Sequence, residues 1–225
     1  MKKQIKWIGT LAIAAVLFSA CEKDDAPVAI DKTNDGTFKV FTEGNVTTVQ
    51  NLIADTIIGL NPMGIPYGTG KFTFFSLENK RLVASTDSAT NNWDIAFRGT
   101  TILTNSGTSG PGNGGAFVQV GTFDALTTIS NDSTFRVDAV PNYAIPTGSG
   151  RGWYNYDGPN NLVTPLPGRI MVIRTANGKY AKLEISSYYK KAITPSISAS
   201  DDEKLRNQRY YNFRFTYQPD GSKNF

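Results

Sequence analysis

The one cysteine of the chain, Cys21, is placed for covalent lipid attachment. A start rich in lysine is followed by an apolar run over residues 7–20, and small residues 19–20 stand directly before the thiol. This run is shorter than the about 20 residues that span a bilayer. The pattern predicts a lipoprotein signal over residues 1–20, with lipid such as palmitate on Cys21 after cleavage. The alternative is an ordinary signal peptide with a coincidental cysteine, but a lone cysteine cannot form an intramolecular disulfide.

The chain contains no histidine, which excludes several kinds of catalytic site. Nucleophiles activated by histidine and the usual zinc sites need this side chain. Four candidate carboxylates are scattered, so the sequence leaves open whether any two converge as in a glycosidase: Asp94, Asp138, Asp157 and Glu184. The glycines of residues 107–115 are not followed by the Lys-Ser/Thr of a phosphate loop. We therefore predict a binding protein that has no catalytic residues and is not an enzyme.

Charge and length indicate one domain without a nucleic-acid surface. The formal charge is +4, and removing residues 1–20 with their three lysines lowers it to +1. Residues 21–36 are polar and include an Asn-Asp-Gly turn signal, so they predict a flexible tether. Residues 37–225 are numerous enough to bury one core, and no later apolar run is as long as a membrane span.

Alternation of apolar and polar residues predicts a mainly β, single antiparallel domain with long loops. Alternation with period two places one face of a strand on the core and the other in water. Trp93 and Phe97 of the first such segment are expected in the core. The four segments are residues 93–97, 135–139, 181–185 and 211–217.

Local signals predict one hairpin and at most one or two short helices. Asn177-Gly178 suits a type I′ turn because both residues tolerate positive φ. Ser200 with Glu203 forms a capping-box pattern and predicts one or two helical turns before the last strand. Residues 104–115 and 141–168 predict long loops, which in compact domains are usually functional or disordered.

Several blocks, read in order, resemble the HmuY family of haem-binding lipoproteins from Bacteroidetes. The resemblance covers roughly residues 36 to 225 and implies a mostly β surface lipoprotein that captures haem and passes it to an outer-membrane transporter. Members of this family coordinate the haem iron with two histidines or with methionines. This chain contains no histidine, so of these two ligand sets only methionines are available. The blocks are Trp93-Asp94-Ile95-Ala96-Phe97-Arg98, residues 103–110 with 114–116, residues 165–169, 173–183, 188–189 and 210–215.

The residues directly after Cys21 resemble a signal that determines where a lipoprotein is located. Residues 22–25 read Glu-Lys-Asp-Asp and resemble the surface-export signal of Bacteroidetes lipoproteins. This resemblance implies a domain anchored by lipid to the outer membrane and facing the medium. The alternative is a solvated charged tether.

Candidate iron ligands follow from the resemblance and from the absence of histidine. Once the signal is removed, the methionines are Met63 and Met171. Thioethers are soft ligands and favour ferrous haem. Met171 lies in an alternating apolar stretch, so packing in the core is its alternative role. Met63 lies in an Asn-Pro-Met-Gly turn, which aims a side chain at a ligand more easily.

Tyrosine and arginine provide the remaining candidates. Tyr143, Tyr154 and Tyr156 lie in the long loop and offer phenol ligands or rings that stack on a flat molecule. Packing of the ring with a wet hydroxyl is their alternative role. Arg151 and Arg169 could pair with haem propionates, or could simply be solvated.

Three hypotheses remain open at this point. Haem capture predicts a deep apolar slot beside residues 141–168, with one or two of the candidate side chains inside. The second hypothesis keeps the scaffold for another flat aromatic molecule or a glycan. The third is an interaction lipoprotein that recognises a partner through its loops.

Overall fold

The structure, a computed structural model, describes residues 32–225. The signal peptide, Cys21 and residues 22–25 lie outside this range. The strands are β1 Lys39–Glu43, β2 Val46–Ile53, β3 Gly59–Leu60, β4 Pro66–Tyr67, β5 Thr73–Ser76, β6 Arg81–Val83, β7 Ile95–Arg98, β8 Thr101–Thr104, β9 Gly115–Val120, β10 Tyr154–Asp157, β11 Leu162–Pro165, β12 Arg169–Arg174, β13 Tyr180–Tyr189 and β14 Gln208–Gln218, and the α-helix is α1 Asp201–Asn207. Short 3₁₀ turns lie at Ser85–Asp87 and Lys190–Ala192.

Two antiparallel sheets enclose the core, which confirms the predicted fold class. The larger sheet has the order β1-β2-β14-β13-β12-β9, and the smaller has the order β6-β5-β7-β8. Phe97 of the smaller sheet stacks on Phe213 of the larger one, with 5.5 Å between ring centroids. Trp93 and Phe97 are fully buried, as predicted. None of the helices in the described part of the chain is long and apolar enough to cross a membrane.

The predicted strand at residues 135–139 is wrong. Only isolated bridges occur there, between Ala116 and Arg136 and between Ala139 and Asn142. Burial also departs from the predicted alternation, because Val137 is exposed while Asp138 is buried. The Asp138 carboxylate accepts hydrogen bonds from the amides of Thr104 at 2.9 Å and Ala144 at 2.8 Å. These bonds compensate its burial, so a tertiary contact overrides the local pattern.

Strand β13 forms as predicted, but its polar face is not wholly in water. Lys182 is buried, and its ammonium donates to the carbonyls of Phe123 and Leu126, each at 2.8 Å. The same nitrogen lies 4.6 Å from the centroid of the Phe123 ring. Burial lowers the pKa of Lys182. Lys182 therefore holds the loop after β9 against the sheet.

The hairpin at Asn177-Gly178 is confirmed, but its turn is not type I′. Strands β12 and β13 pair on either side of it, with Met171 opposite Leu183. Gly178 has φ of 77°, whereas Asn177 is not among the residues with positive φ. The amide of Ala176 donates to the Asp94 carboxylate at 3.1 Å. Because this bond fixes the turn from outside, a tertiary contact contributes to the turn geometry.

Asp94 connects three segments of the chain, and its titration is expected to make the stability of the fold depend on pH. Burial raises its pKa above 3.8, although backbone hydrogen bonds from Leu77 and Ala176 act in the opposite direction. The folded state thus binds this proton more tightly than the unfolded state. The part of the stability that depends on this protonation is full below pH 3.8 and is lost as the pH rises through the raised pKa. The hydrogen bonds that Asp94 accepts from Leu77 and Ala176 are a separate contribution.

Denaturant unfolding of the wild type and Asp94→Asn between about pH 3 and pH 7 measures this effect. We expect the free energy of unfolding of the wild type to fall relative to that of the variant as the pH rises. A relative gain by the wild type over this interval would contradict the assignment.

Helix α1 forms where the capping pattern predicted it. The Ser200 hydroxyl accepts a hydrogen bond from the amide of Glu203 at 3.2 Å. The helix leads directly into β14, as expected. Residues at the junction of α1 and β14 form one wall of the cleft described below.

Parts of two segments that the sequence predicts as a tether and a loop make hydrogen bonds with the domain. Asn34, in the described end of residues 21–36, donates to Asn212 at 3.1 Å and accepts from Asn51 at 2.6 Å. Within residues 104–115, the buried Asn105 amide donates to the carbonyls of Thr90 and Trp93. The second segment is therefore a packed connection between β8 and β9. The predicted division between residues 36 and 37 remains a prediction.

Candidate functional site

The β3–β4 hairpin displays apolar side chains to solvent. Its strands form a separate two-stranded sheet. The Asn61 side chain organises the turn, accepting hydrogen bonds from the amides of Met63 at 3.0 Å and Ile65 at 2.8 Å. The exposed apolar residues around it are Ile58, Leu60, Met63, Ile65 and Tyr67. Met63 is 79% exposed, and an apolar patch of this kind often marks a surface for a ligand or partner.

Two adjoining cavities lie beside this hairpin, and we call them together the Tyr156 cleft. One has a volume of about 370 Å³ and the other about 300 Å³, which is within the size range of small-molecule sites. Tyr156, Gln208 and Arg209 line both cavities. The remaining lining residues are Leu60, Gly64, Pro66, Asn161, Asp201, Lys204 and Leu205 in the first, and Gly99, Thr100, Ser149, Tyr154, Val163 and Tyr188 in the second.

Tyr156 is the most accessible aromatic residue of the cleft. It lies on β10, and the residue is 47% exposed. Its hydroxyl donates to the Asn161 side chain at 3.0 Å, and Asn161 donates in turn to Asp201 of α1 at 3.1 Å. The amide of Tyr156 donates to the Ser149 hydroxyl at 2.7 Å. These bonds connect the phenol of Tyr156, which belongs to the β10–β11 hairpin, to helix α1 and hold it in place.

Tyr154 lies deeper in the cleft wall and is supported by Trp153. The two ring centroids are 5.0 Å apart, and the Tyr154 hydroxyl accepts a hydrogen bond from Thr100 at 3.3 Å. Burial raises the pKa of Tyr188 and Tyr211, which also pack against Trp153. Tyr188 and Tyr211 are therefore neutral phenols at physiological pH and serve as packing groups.

Arg209 is a cleft residue that the sequence patterns did not indicate. Its φ of 67° is left-handed, a conformation that costs energy for a residue other than glycine. The guanidinium donates to the Asp55 carbonyl at 2.6 Å and lies 3.9 Å from the Asp55 carboxylate. Asp55 in turn accepts hydrogen bonds from the amides of Thr69 and Gly70, just after β4. Arg209 thus links the base of the exposed hairpin to the cleft.

The other predicted ligands lie apart from this cleft. Met171 is completely buried in the main core, where it lies opposite Leu183 of β13 and Val118 of β9. This position suits the packing role that the sequence left open. Tyr143 and Arg151 line a different cavity, whose lining residues are not shared with the Tyr156 cleft. Met63 is close to the cleft in sequence, because its neighbour Gly64 lines it.

The walls of the Tyr156 cleft differ from those of the slot expected for haem. The sequence predicted a deep apolar slot, whereas the Tyr156 cleft also has Asp201, Lys204 and Arg209 in its walls. Residues 141–168 are not one long loop, because β10 and β11 form a hairpin within them. Among residues 32–225, no three acidic, histidine or cysteine side chains are grouped as a metal site.

The sequence profile of the family described as HmuY protein matches residues 69–198, which is more than half of the chain. The chain belongs to the HmuY family. This family is a family of binding proteins, and its matched range contains Tyr154, Tyr156 and Asn161 of the cleft. Met63 and Arg209 lie outside the matched range. No curated protein matches this sequence significantly.

One solved structure shows the fold of this HmuY-family protein, and two others resemble it more weakly. A candidate lipoprotein from Bacteroides fragilis is 16% identical, with a TM-score of 0.51 over 81% of this chain and 97% of the other. A candidate HmuY-like haem-binding protein from Bacteroides vulgatus is 15% identical, with a TM-score of 0.48 over 77% and 92%. The apo form of an HmuY analogue from Tannerella forsythia is 13% identical, with a TM-score of 0.42 over 81% and 97%. At these identities, the first structure supports the fold alone.

Proposed function

We propose that this protein is a lipoprotein of the outer membrane that captures haem at the cell surface for iron acquisition. In this proposal, residues 1–20 are removed, Cys21 carries the lipid, and residues 21–36 connect the anchor to the binding domain of residues 37–225. The domain binds haem without catalysing a reaction and passes it to an outer-membrane transporter.

One observation carries the proposal for the cleft. In a chain of the HmuY family, an exposed thioether and an accessible phenol belong to neighbouring hairpins around one concave surface. Met63 is at the tip of the β3–β4 hairpin, and Tyr156 lines the cleft beside it. The resemblance to the family implies haem, and both side-chain types are known ligands of haem iron.

The chemistry of the cleft fits haem as cargo. The exposed apolar residues of the β3–β4 hairpin, Leu60 among them, would cover the porphyrin face, whose burial is favourable in water. Arg209 would pair with a propionate, because guanidinium binds carboxylate through charge-assisted hydrogen bonds. This assignment replaces Arg151, which lines the other cavity.

A haem titration of residues 22–225 under oxidising and then reducing conditions tests the proposal. We expect a saturable shift of the Soret band, and we expect Tyr156→Phe and Met63→Ala each to weaken binding by about 10-fold or more, or about 1.4 kcal/mol. Phenylalanine preserves the ring of Tyr156 and removes only its oxygen. Strengthening on reduction would assign a thioether ligand, and binding confined to ferric haem would assign the phenol.

Two further variants separate ligation from packing. Met63→Leu keeps an apolar side chain without sulfur, so it should resemble Met63→Ala if sulfur binds iron. Tyr143→Phe removes a phenol oxygen outside the cleft and should leave the titration unchanged. Absence of a Soret shift in both oxidation states would remove haem as the cargo and leave another flat aromatic molecule or a glycan.

A further inference from the structure

A second cavity, which we call the arginine cavity, lies on the segment between β9 and β10. Its volume is about 390 Å³. It shares no lining residue with the Tyr156 cleft. The lining residues are Arg136, Pro141, Asn142, Tyr143, Pro146, Thr147 and Arg151. The proposed haem site leaves this cavity without a role.

The charged residues that line the arginine cavity within residues 32–225 are both arginines. Arg136 and Arg151 contribute two guanidinium groups, and no acidic residue of this range lines the cavity. Asp138, close by in sequence, is buried and accepts hydrogen bonds from the amides of Thr104 and Ala144. Asp138 therefore already has partners on both carboxylate oxygens. Two guanidiniums without a carboxylate in the same cavity favour an anionic ligand.

The backbone that carries both arginines is held in place. Arg136 exchanges two backbone hydrogen bonds with Ala116, at 3.0 Å and 2.9 Å. The amide of Arg151 donates to the Gly148 carbonyl at 3.3 Å. Gly148 has φ of 95°, and a Cβ built there would lie 3.6 Å from the Arg151 side chain. This left-handed glycine shapes the turn that carries Arg151, so the backbone from which the side chain extends is fixed.

The uncharged lining indicates more than an inorganic ion. Tyr143 lines the cavity and packs against the cluster of Trp93, Ala96 and Leu103, which restrains this aromatic side chain. Asn142 and Thr147 add an amide and a hydroxyl, which pair with hydroxyl groups of a ligand. Pro141 and Pro146 add rigid apolar surface. An aromatic wall, neutral hydrogen-bonding groups and two cations together match a sugar that carries an acidic group.

We propose that the arginine cavity binds an acidic monosaccharide unit, with its carboxylate or sulfate held between Arg136 and Arg151. Both oxyanions accept paired hydrogen bonds from guanidinium, so the structure supports their shared chemistry. The sugar ring would lie on Tyr143, with its hydroxyl groups near Asn142 and Thr147. This site is separate from the Tyr156 cleft, and its occupancy does not depend on haem.

Calorimetric titration of the full chain in detergent with glucuronate and with N-acetylglucosamine 6-sulfate tests this assignment. Glucose and inorganic sulfate are the controls for the sugar ring and for the bare anion. We expect saturable binding of at least one acidic sugar, tighter than either control. Arg136→Gln and Arg151→Gln should each weaken it by about 10-fold or more. Binding of glucuronate alone would identify a carboxylate ligand, and binding of the sulfated sugar alone would identify a sulfate.

Arg81→Gln is the matched control, because Arg81 is also exposed but lies on β6, outside the arginine cavity. It should leave sugar binding unchanged. Thermal unfolding and the haem titration should be the same for all three variants, which separates this site from the haem site and from misfolding. Equal binding of inorganic sulfate and the acidic sugars would overturn the assignment. Failure of both sugars to bind, or unchanged binding in both cavity variants, would also overturn it.

Discussion

Replacing Trp153 with alanine is expected to lower the free energy of unfolding by about 3–5 kcal/mol. Trp153 is 1% exposed, and its indole N–H donates to the Thr100 carbonyl at 3.0 Å. Its ring is within 5.6 Å of the ring centroids of Tyr154, Tyr188 and Tyr211. The substitution leaves a cavity among these rings and an unpaired carbonyl. Chemical denaturation followed by circular dichroism measures the loss.

The control for this variant is Trp153→Phe, which keeps an aromatic ring but removes the indole N–H. It should cost clearly less than alanine, because more of the cavity remains filled. Tyr154 and Tyr188 line the Tyr156 cleft, so Trp153→Ala should also weaken the proposed haem binding. A destabilisation below about 1 kcal/mol would contradict the packing described here.

Asp94→Ala is expected to lower the free energy of unfolding by about 3–5 kcal/mol, because it removes a buried hydrogen-bond acceptor. The carboxylate accepts hydrogen bonds from the amide of Leu77 at 2.7 Å and from that of Ala176 at 3.1 Å. Alanine leaves both amides without this acceptor in a site that is 3% exposed. Each buried unpaired donor costs about 1–3 kcal/mol. Denaturant unfolding near neutral pH gives the value.

Asp132→Ala is the matched control for Asp94→Ala, because Asp132 is an exposed aspartate. It should change stability by less than about 0.5 kcal/mol. Similar losses in the two variants would show that the hydrogen bonds of Asp94 do not stabilise the fold.

The sequence predicted those elements whose signals are local. Strands β13 and β14 alternate clearly, and the capping pattern at Ser200 places α1 correctly. Alternation failed at residues 135–139 because it cannot reveal which polar residue finds a buried partner, as Asp138 does. It failed in part at Lys182, whose partners are carbonyls about 60 residues away in the chain.

The candidate site was harder to predict because its walls come from distant segments. The Tyr156 cleft joins residues near 60, 156 and 208, and no local pattern indicates that these segments meet. Tyr154 and Tyr156 could be selected from loop composition, and the structure places both at the cleft. Arg209 could not, because its left-handed backbone has no signal in an Arg-Tyr-Tyr sequence. Tyr143 and Arg151 were selected for their side-chain chemistry and their place in the same segment, and the structure places both at the other cavity.

The separate β3–β4 sheet has a consequence for how proteins with this fold diversify. Its ladder is closed within residues 59–67 and is not shared with either large sheet. Substitutions at the tip therefore leave the strand pairing and the core intact, while they change the side chains beside the cleft. On the proposed function, an exchange of Met63 or Leu60 would change the cargo at little cost to folding. Selection on ligand preference and selection on stability would then act on different parts of this chain.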